Sequence, residues 1–207
     1  MDTVETRVRA LLAAGQPDAA ATAAIEGYGP AVFGYLRKIV DDEDDARDAY
    51  AQWAEDLWKG LPGFRGDASL RAWTYRLAWH AACRLHRDPF RARGVRLPTS
   101  AASRLAASVA ESTVATGSRR AGLDRLRAQL PPEERTLLTL RLDRELEWDE
   151  VAEVLSAEGA PVTAPALRKR FERLKERLRE LAREEGLLDH EPDRPDDDRG
   201  DGKDDDP

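Results

Sequence analysis

At 207 residues the chain is long enough for one or two small domains with real cores. Its net charge of −7 is local, because residues 189–207 hold ten acids against three bases and residues 1–188 are neutral, with 30 bases and 30 acids. A lone cysteine, Cys83, excludes an intrachain disulfide, and the longest charge-free run, Gly27–Leu36, is too short for a bilayer span; with no secretory pattern in MDTVETRVRA, a soluble cytoplasmic protein is expected.

Helical signals dominate the chain, and no run reads convincingly as a strand. Residues 4–14 read as a short helix stopped at Gly15. Pro17 opens another, which Gly27, Gly29 and Pro30 are expected to interrupt before a third over AVFGYLRKIV. The acidic run Asp41–Asp45 leads into a helix through about Lys59, its carboxylates meeting the positive end of the helix dipole. Ala46, Ala49, Trp53 and Leu57 form the apolar face of that helix. Pro62, Gly63 and Gly66 then break the chain, and Asp67 or Ser69 can cap the next helix, which runs to Arg87.

On that helix Leu70, Trp73, Thr74, Leu77, Ala81 and Leu85 share one side as a core stripe. Tyr75, Trp79 and His86 fall roughly opposite, flanked by Arg71, Arg76, Cys83 and Arg87. Exposed rings among guanidinium groups suit single-stranded nucleic acid, since any base can stack and any phosphate can pair. An ordinary amphipathic helix with partly covered aromatics is the competing reading. Charge is sorted along the chain: Asp41–Trp58 holds eight acids and one base, Arg65–Arg96 eight bases and two acids, and Pro165–Arg183 eight bases and three acids. Two basic segments in a neutral body point to local anionic contacts, not to general coating of a polyanion.

Pro89–Arg120, rich in small residues, Pro and Gly, reads as a linker with a short helix around Ser103–Glu111. A second helical block follows: Gly122–Leu130, Glu133–Asp143, Trp148–Leu155, and a long helix from about Ala164 to Glu185 capped by Thr163 and closed by Gly186. A short helix before a long basic one matches a helix-turn-helix, whose last helix enters the major groove. Leu167, Phe171, Leu174, Leu178 and Leu181 space as a core stripe, with Arg168, Lys169, Glu172, Arg173 and Lys175 opposing it. A surface helix with alternating charges, or a coiled-coil partner, would give the same pattern. Residues 189–207 are too acidic and too rich in Pro and Gly to fold alone.

Enzyme chemistry finds little support. His80, Cys83 and His86 form H-x-x-C-x-x-H, but one helix spreads them over about 120° and no fourth ligand lies near in sequence. There is no Gly-rich phosphate loop and no Ser-His-Asp arrangement, and the paired carboxylates sit in solvated runs. No catalytic residue, metal or cofactor is expected.

GFRGDASLRAWTYRLAWHAACR, followed downstream by LPPEERTLLTLRL, LEWDEVAEVL and ALRKRFERLKERL, resembles the extracytoplasmic-function sigma factors, the minimal two-domain members of the sigma-70 class. The resemblance covers about residues 18–92 (region two) and 121–185 (region four). It implies an all-α chain of two small helical domains: 1–17 an N-terminal helical extension, 18–92 region two, 93–120 a flexible linker, 121–188 the region-four helix-turn-helix, and 189–207 a disordered acidic tail. It further implies that Asp48, Gln52 and Asp56 face the β′ clamp helices of core RNA polymerase. Phe64, Arg65, Gly66 and Asp67 would form the loop that captures a flipped minus-ten base, with Tyr75, Arg76, Trp79 and His80 along the non-template strand. Arg168, Lys169 and Glu172 would read the minus-thirty-five duplex, with Arg173 on phosphate. Leu137, Leu138 and Leu142 would pack the region-four core or meet the β flap. His80 stands where the family usually has Asn, Ala51 and Ala54 replace a Gln and a bulky aromatic, and Ser156–Thr163 lengthens the turn of the helix pair. An anti-sigma factor is a common further partner in the family.

Two other readings stay open on sequence alone. A stand-alone helix-turn-helix regulator would leave the loop and aromatics of residues 61–87 without a role. An all-helical interaction adaptor would use both basic faces on acidic partners.

Overall fold

The computed structural model describes residues 3–87, 100–114, 121–156 and 161–186. Among these residues there are nine α-helices and no strands: α1 Thr3–Ala13, α2 Pro17–Ile39, α3 Glu43–Gly60, α4 Leu70–Arg87, α5 Ala101–Val114, α6 Ala121–Ala128, α7 Pro132–Leu138, α8 Trp148–Leu155 and α9 Ala164–Glu184. A 3₁₀ turn, Leu61–Gly63, follows α3, and a π-helical turn, Thr139–Asp143, continues α7. No described helix is long and apolar enough to cross a membrane.

The first block packs α1 to α5 around α2. The interruption expected at Gly27–Pro30 does not occur: α2 runs unbroken through Pro30. An internal proline removes one hydrogen bond and costs about 3 kcal/mol. Here Ala24, Ile25, Tyr28, Val32, Phe33 and Leu36 are buried across that stretch, and each large side chain so buried contributes about 1.5–3 kcal/mol. The glycines serve close packing. A Cβ at Gly27 would overlap the Val4 methyls of α1, and one at Gly29 would collide with the Tyr50 hydroxyl of α3.

Helix α3 starts as its acids dictate, with the Asp42 carboxylate accepting from the Asp44 amide at 2.6 Å. Its expected apolar face, Ala46, Ala49, Trp53 and Leu57, is fully buried. The Trp53 indole donates to the Thr74 carbonyl in α4 at 3.0 Å and stacks on Tyr50, which tilts against Phe33 of α2. Ser69 caps α4, accepting from the Ala72 amide at 3.1 Å. The helix expected at Ser103–Glu111 is longer, and Ala102, Ala106 and Ala110 bury against α2 and α3. Part of the segment expected to be a linker thus belongs to the first block's core.

The second block is built on the expected stripe, with Leu167, Phe171 and Leu174 buried and Leu178 and Leu181 packed at its edge. The α8 boundaries coincide with those read from sequence, fixed by a capping box between Glu147 and Glu150. Thr163 caps α9 by accepting from the Ala166 amide. Val162 N–H donates to Ser156 Oγ at 2.9 Å across the turn, whose residues 157–160 lie outside the described set.

The two blocks dock on each other through α2 and α4 on one side and α6, α7 and α8 on the other. Asp143 accepts from Lys38 at 2.7 Å and from Arg127 at 3.0 Å, Arg135 pairs with Asp41 at 2.6 Å, and Arg144 donates to the Ala31 carbonyl at 2.7 Å. Burial pushes the Asp143 carboxyl up, but the bonds and charges of Lys38 and Arg127 outweigh it and hold the group below its ordinary value.

Two outcomes follow. Gly29→Ala should lower stability to chemical denaturant by about 1–3 kcal/mol through overpacking, with Gly63→Ala, which meets open space, changing it by less than about 0.5 kcal/mol. Asp143→Asn should cost about 1–3 kcal/mol at neutral pH. Because the carboxyl is held below its ordinary value, that contribution is present above the ordinary carboxylate range and is lost as pH falls through the lowered value. Stability of wild type and variant, measured against pH, should therefore converge on the acid side.

Candidate nucleic-acid interface

The chain leaves α3 through a short, sharply turned connection. Leu61 is buried and anchors the 3₁₀ turn, which closes with the Phe64 amide on the Leu61 carbonyl at 3.1 Å. Gly66 then adopts φ +80°, a left-handed conformation that glycine reaches without strain. The result is an outward loop whose Arg65 and Asp67 side chains are 87% and 88% exposed and only loosely paired, at 3.9 Å. Phe64 is half-buried, its ring tilted on Trp73 at 5.2 Å and with the Arg9 guanidinium 5.8 Å from its centroid. Phe64, Arg65, Gly66 and Asp67, grouped by sequence, therefore do form one accessible loop: an aromatic edge, a cation and a carboxylate around a turn.

The face below the loop departs from expectation. Tyr75 is 2% exposed and Trp79 is 9% exposed, not open platforms. The cause is tertiary. Tyr75 meets Tyr35 of α2 edge-on at 5.4 Å, and α4 is packed by α2, α3 and α8 together. Burial raises the Tyr75 hydroxyl, with Arg144 and Arg71 acting weakly against it. Arg76 stays half-exposed and pairs with Glu153 of α8 at 3.4 Å, and His80 is likewise half-buried. Above Arg76, Ser69 donates to Glu150 at 2.5 Å, and Arg71 donates to the Arg144 carbonyl. Two carboxylates of α8 thus lie along the surface expected to face a phosphate backbone. Burial raises the Glu153 carboxyl, Arg76 partly offsets this, and Glu150 adds to it.

On α3 the three residues expected to face a protein partner, Asp48, Gln52 and Asp56, lie half-exposed in one row at i, i+4 and i+8. Gln52 donates to Asp56 at 2.9 Å, and Arg84 of α4 pairs with the same carboxylate. This row is braced from the helix that carries the loop.

In the second block Arg168, Lys169, Glu172 and Arg173 are all exposed near the start of α9. The Arg168 guanidinium lies 5.9 Å from the Trp148 ring centroid, and Trp148 meets Phe171 edge-on at 5.4 Å, so an aromatic of α8 braces the first cation of the row. Glu172 pairs with Lys175 at 2.7 Å. Leu137 and Leu138 take the core-packing alternative of the two roles expected for them. Both are buried in the core, whereas Leu142, thrown outward by the π-helical turn, is 55% exposed.

The residues that sequence reasoning passed over are those joining distant segments: Glu5, Arg9, Arg144, Glu150 and Glu153. Glu150 and Glu153, an i,i+3 acidic pair on a short helix, are the one visible signal; Glu5 and Arg9 show only as an i,i+4 pair. Among the described residues no cluster of three His, Cys, Asp or Glu side chains could hold a metal ion.

Residues 24–91, which contain α3, the loop and α4, match the family model for Sigma-70 region 2. The chain is also 30% identical over 169 residues to the RNA polymerase sigma-H factor of Pseudomonas aeruginosa, an alignment covering 76% of this chain and 85% of that protein. A loop-bearing helical block matched by region 2, on a chain aligned along most of a sigma factor, places the protein in the sigma-70 family of RNA polymerase sigma factors.

Proposed function

We propose that this sigma factor is of the extracytoplasmic-function type, working in the bacterial cytoplasm with two DNA-contacting blocks: residues 18–92 at the minus-ten element and 121–188 at the minus-thirty-five element, joined through 93–120. The observation that carries this reading is that one chain displays both a Phe64–Asp67 loop with Arg65 and Asp67 exposed and an exposed Arg168, Lys169, Glu172 and Arg173 row at the start of a capped helix. In this reading Asp48, Gln52 and Asp56 meet the β′ clamp helices of core polymerase, and Leu142 replaces Leu137 and Leu138 as the apolar contact for the β flap. An anti-sigma factor would compete for the same faces.

The residues can do this without chemistry of their own. Stacking a base on an aromatic side chain contributes about 1–3 kcal/mol, close to the few kcal/mol that flipping it costs. Melting several base pairs therefore draws on polymerase and on both blocks at once. Arg76 and His80 remain placed for the single strand, whereas Tyr75 and Trp79 support the helix from within. With α8 docked, Glu150 and Glu153 occupy Ser69 and Arg76. A promoter strand following α4 must displace them, so the second block leaves α4 when the complex with DNA forms.

Transcription by core polymerase from genomic fragments, with and without the chain, tests the proposal. Defined run-off products that require the chain are expected. Phe64→Ala should slow open-complex formation about tenfold with polymerase affinity retained. Arg168→Ala should cost about 1–3 kcal/mol in upstream duplex recognition. Equal loss of polymerase affinity in both variants would overturn the division of labour. Full sequence-specific duplex binding without polymerase would favour the stand-alone regulator.

A further inference from the structure

Helix α1 lies outside the residues matched to region 2, yet it reaches the loop that the proposed function uses. Glu5 is buried on the face of α1 turned toward the bundle, beside Val8. A buried carboxylate is costly unless its oxygens are bonded, and both of these are. Oε2 accepts from the Leu70 amide, the first residue of α4, at 3.2 Å. Oε1 accepts from Arg9 Nε at 2.9 Å and from Arg9 Nη2 at 2.7 Å. That two-pronged grip fixes the guanidinium plane. Its remaining nitrogen, Nη1, faces the left-handed turn at Gly66, where an added Cβ would lie 3.1 Å away, and the group as a whole sits 5.8 Å from the Phe64 ring centroid. One ion pair on α1 thus touches the loop at its aromatic, at its turn and at its exit into α4.

We infer that Glu5 and Arg9 are positioning residues for the Phe64–Asp67 loop, holding it in the shape that receives a flipped base, with the N-terminal helix acting as its clamp. The inference rests on the proposed reading of that loop. Phe64 on Trp73 and the Ser69 bonds at the exit are the other restraints on this chain, while Arg65 and Asp67 between them are nearly fully exposed. Released from α1, the loop must be ordered at the moment of capture, which appears as a slower opening step.

The test uses the full chain assembled with core polymerase on a promoter fragment recovered by run-off selection. Open-complex formation is measured on the intact fragment and on fragments carrying a single abasic site, moved one nucleotide at a time along the non-template strand. Arg9→Ala and Glu5→Ala should each slow opening about tenfold without changing polymerase affinity. Arg9→Lys, which keeps the charge pair but not the planar fork, should recover only part of the rate. The abasic position that erases the effect of Phe64→Ala should erase theirs as well, a dependence that a general loss of packing would not have. Should Glu5→Ala fail to fold, Glu5→Gln retains an acceptor for the Leu70 amide but loses the charge on Arg9, and should show the same position-dependent defect. Wild-type rates in these variants, or a defect equal on every template, would overturn the inference while leaving the loop reading intact if Phe64→Ala still shows its position. If Phe64→Ala itself couples to no position, the reading of the loop fails and the inference goes with it.

Discussion

The Trp53 indole is the fixed point of the first block. It is wholly buried, stacks on Tyr50, and donates its one N–H to a carbonyl in the first turns of α4. Burying that nitrogen unpaired would be costly, so the bond sets how α3 and α4 face each other as well as how far apart they lie. Everything between them, from Leu61 to Ser69, must then be spanned by a connection of fixed end-points. That geometry, and the left-handed turn at Gly66, pushes Arg65 and Asp67 into solvent. The same stack places the Tyr50 hydroxyl against α2 where only a glycine leaves room.

Electrostatics shapes the second relationship, between the blocks. The basic side of α4 is not bare: α8 lays Glu150 and Glu153 on it, and α2 meets Asp143 through Lys38. Carboxylates on Ser69 and Arg76 occupy positions that phosphate oxygens would take in the proposed complex, so docking and nucleic-acid binding draw on one set of donors. The two acids differ in how they tolerate this. Asp143, with two cations, is held ionised, whereas burial raises Glu153 and Arg76 only partly offsets it.

Sequence was most legible where local chemistry decides structure. The acidic cap of α3, its buried Ala46-Ala49-Trp53-Leu57 stripe, the bounds of α8 and the Thr163 cap all rest on neighbours within a turn or two. Expectations failed where a distant element decides. Pro30 reads as a break until the burial of Ala24, Ile25, Tyr28, Val32, Phe33 and Leu36 around it is known. Tyr75 and Trp79 look exposed on a wheel that contains only α4 and cannot show α2 and α8 on its far side. The alanines at 102, 106 and 110 read as linker because small side chains carry little hydrophobic signal, yet they let α5 lie close on α2 and α3. Leu137 and Leu138 were separable from Leu142 only through the wider π-helical turn. The loop Phe64–Asp67 was legible as a group, but its support from Glu5 and Arg9, some sixty residues upstream, was not.

In the proposed complex two helical blocks grip separate stretches of one promoter in partnership with core polymerase. A hydroxyl-radical and permanganate footprint of the chain bound to core polymerase on a selected promoter tests it most directly. Two protected patches are expected, one on upstream duplex and one bordering a melted segment, both requiring polymerase. A single protected patch, or protection unchanged when polymerase is omitted, would contradict it.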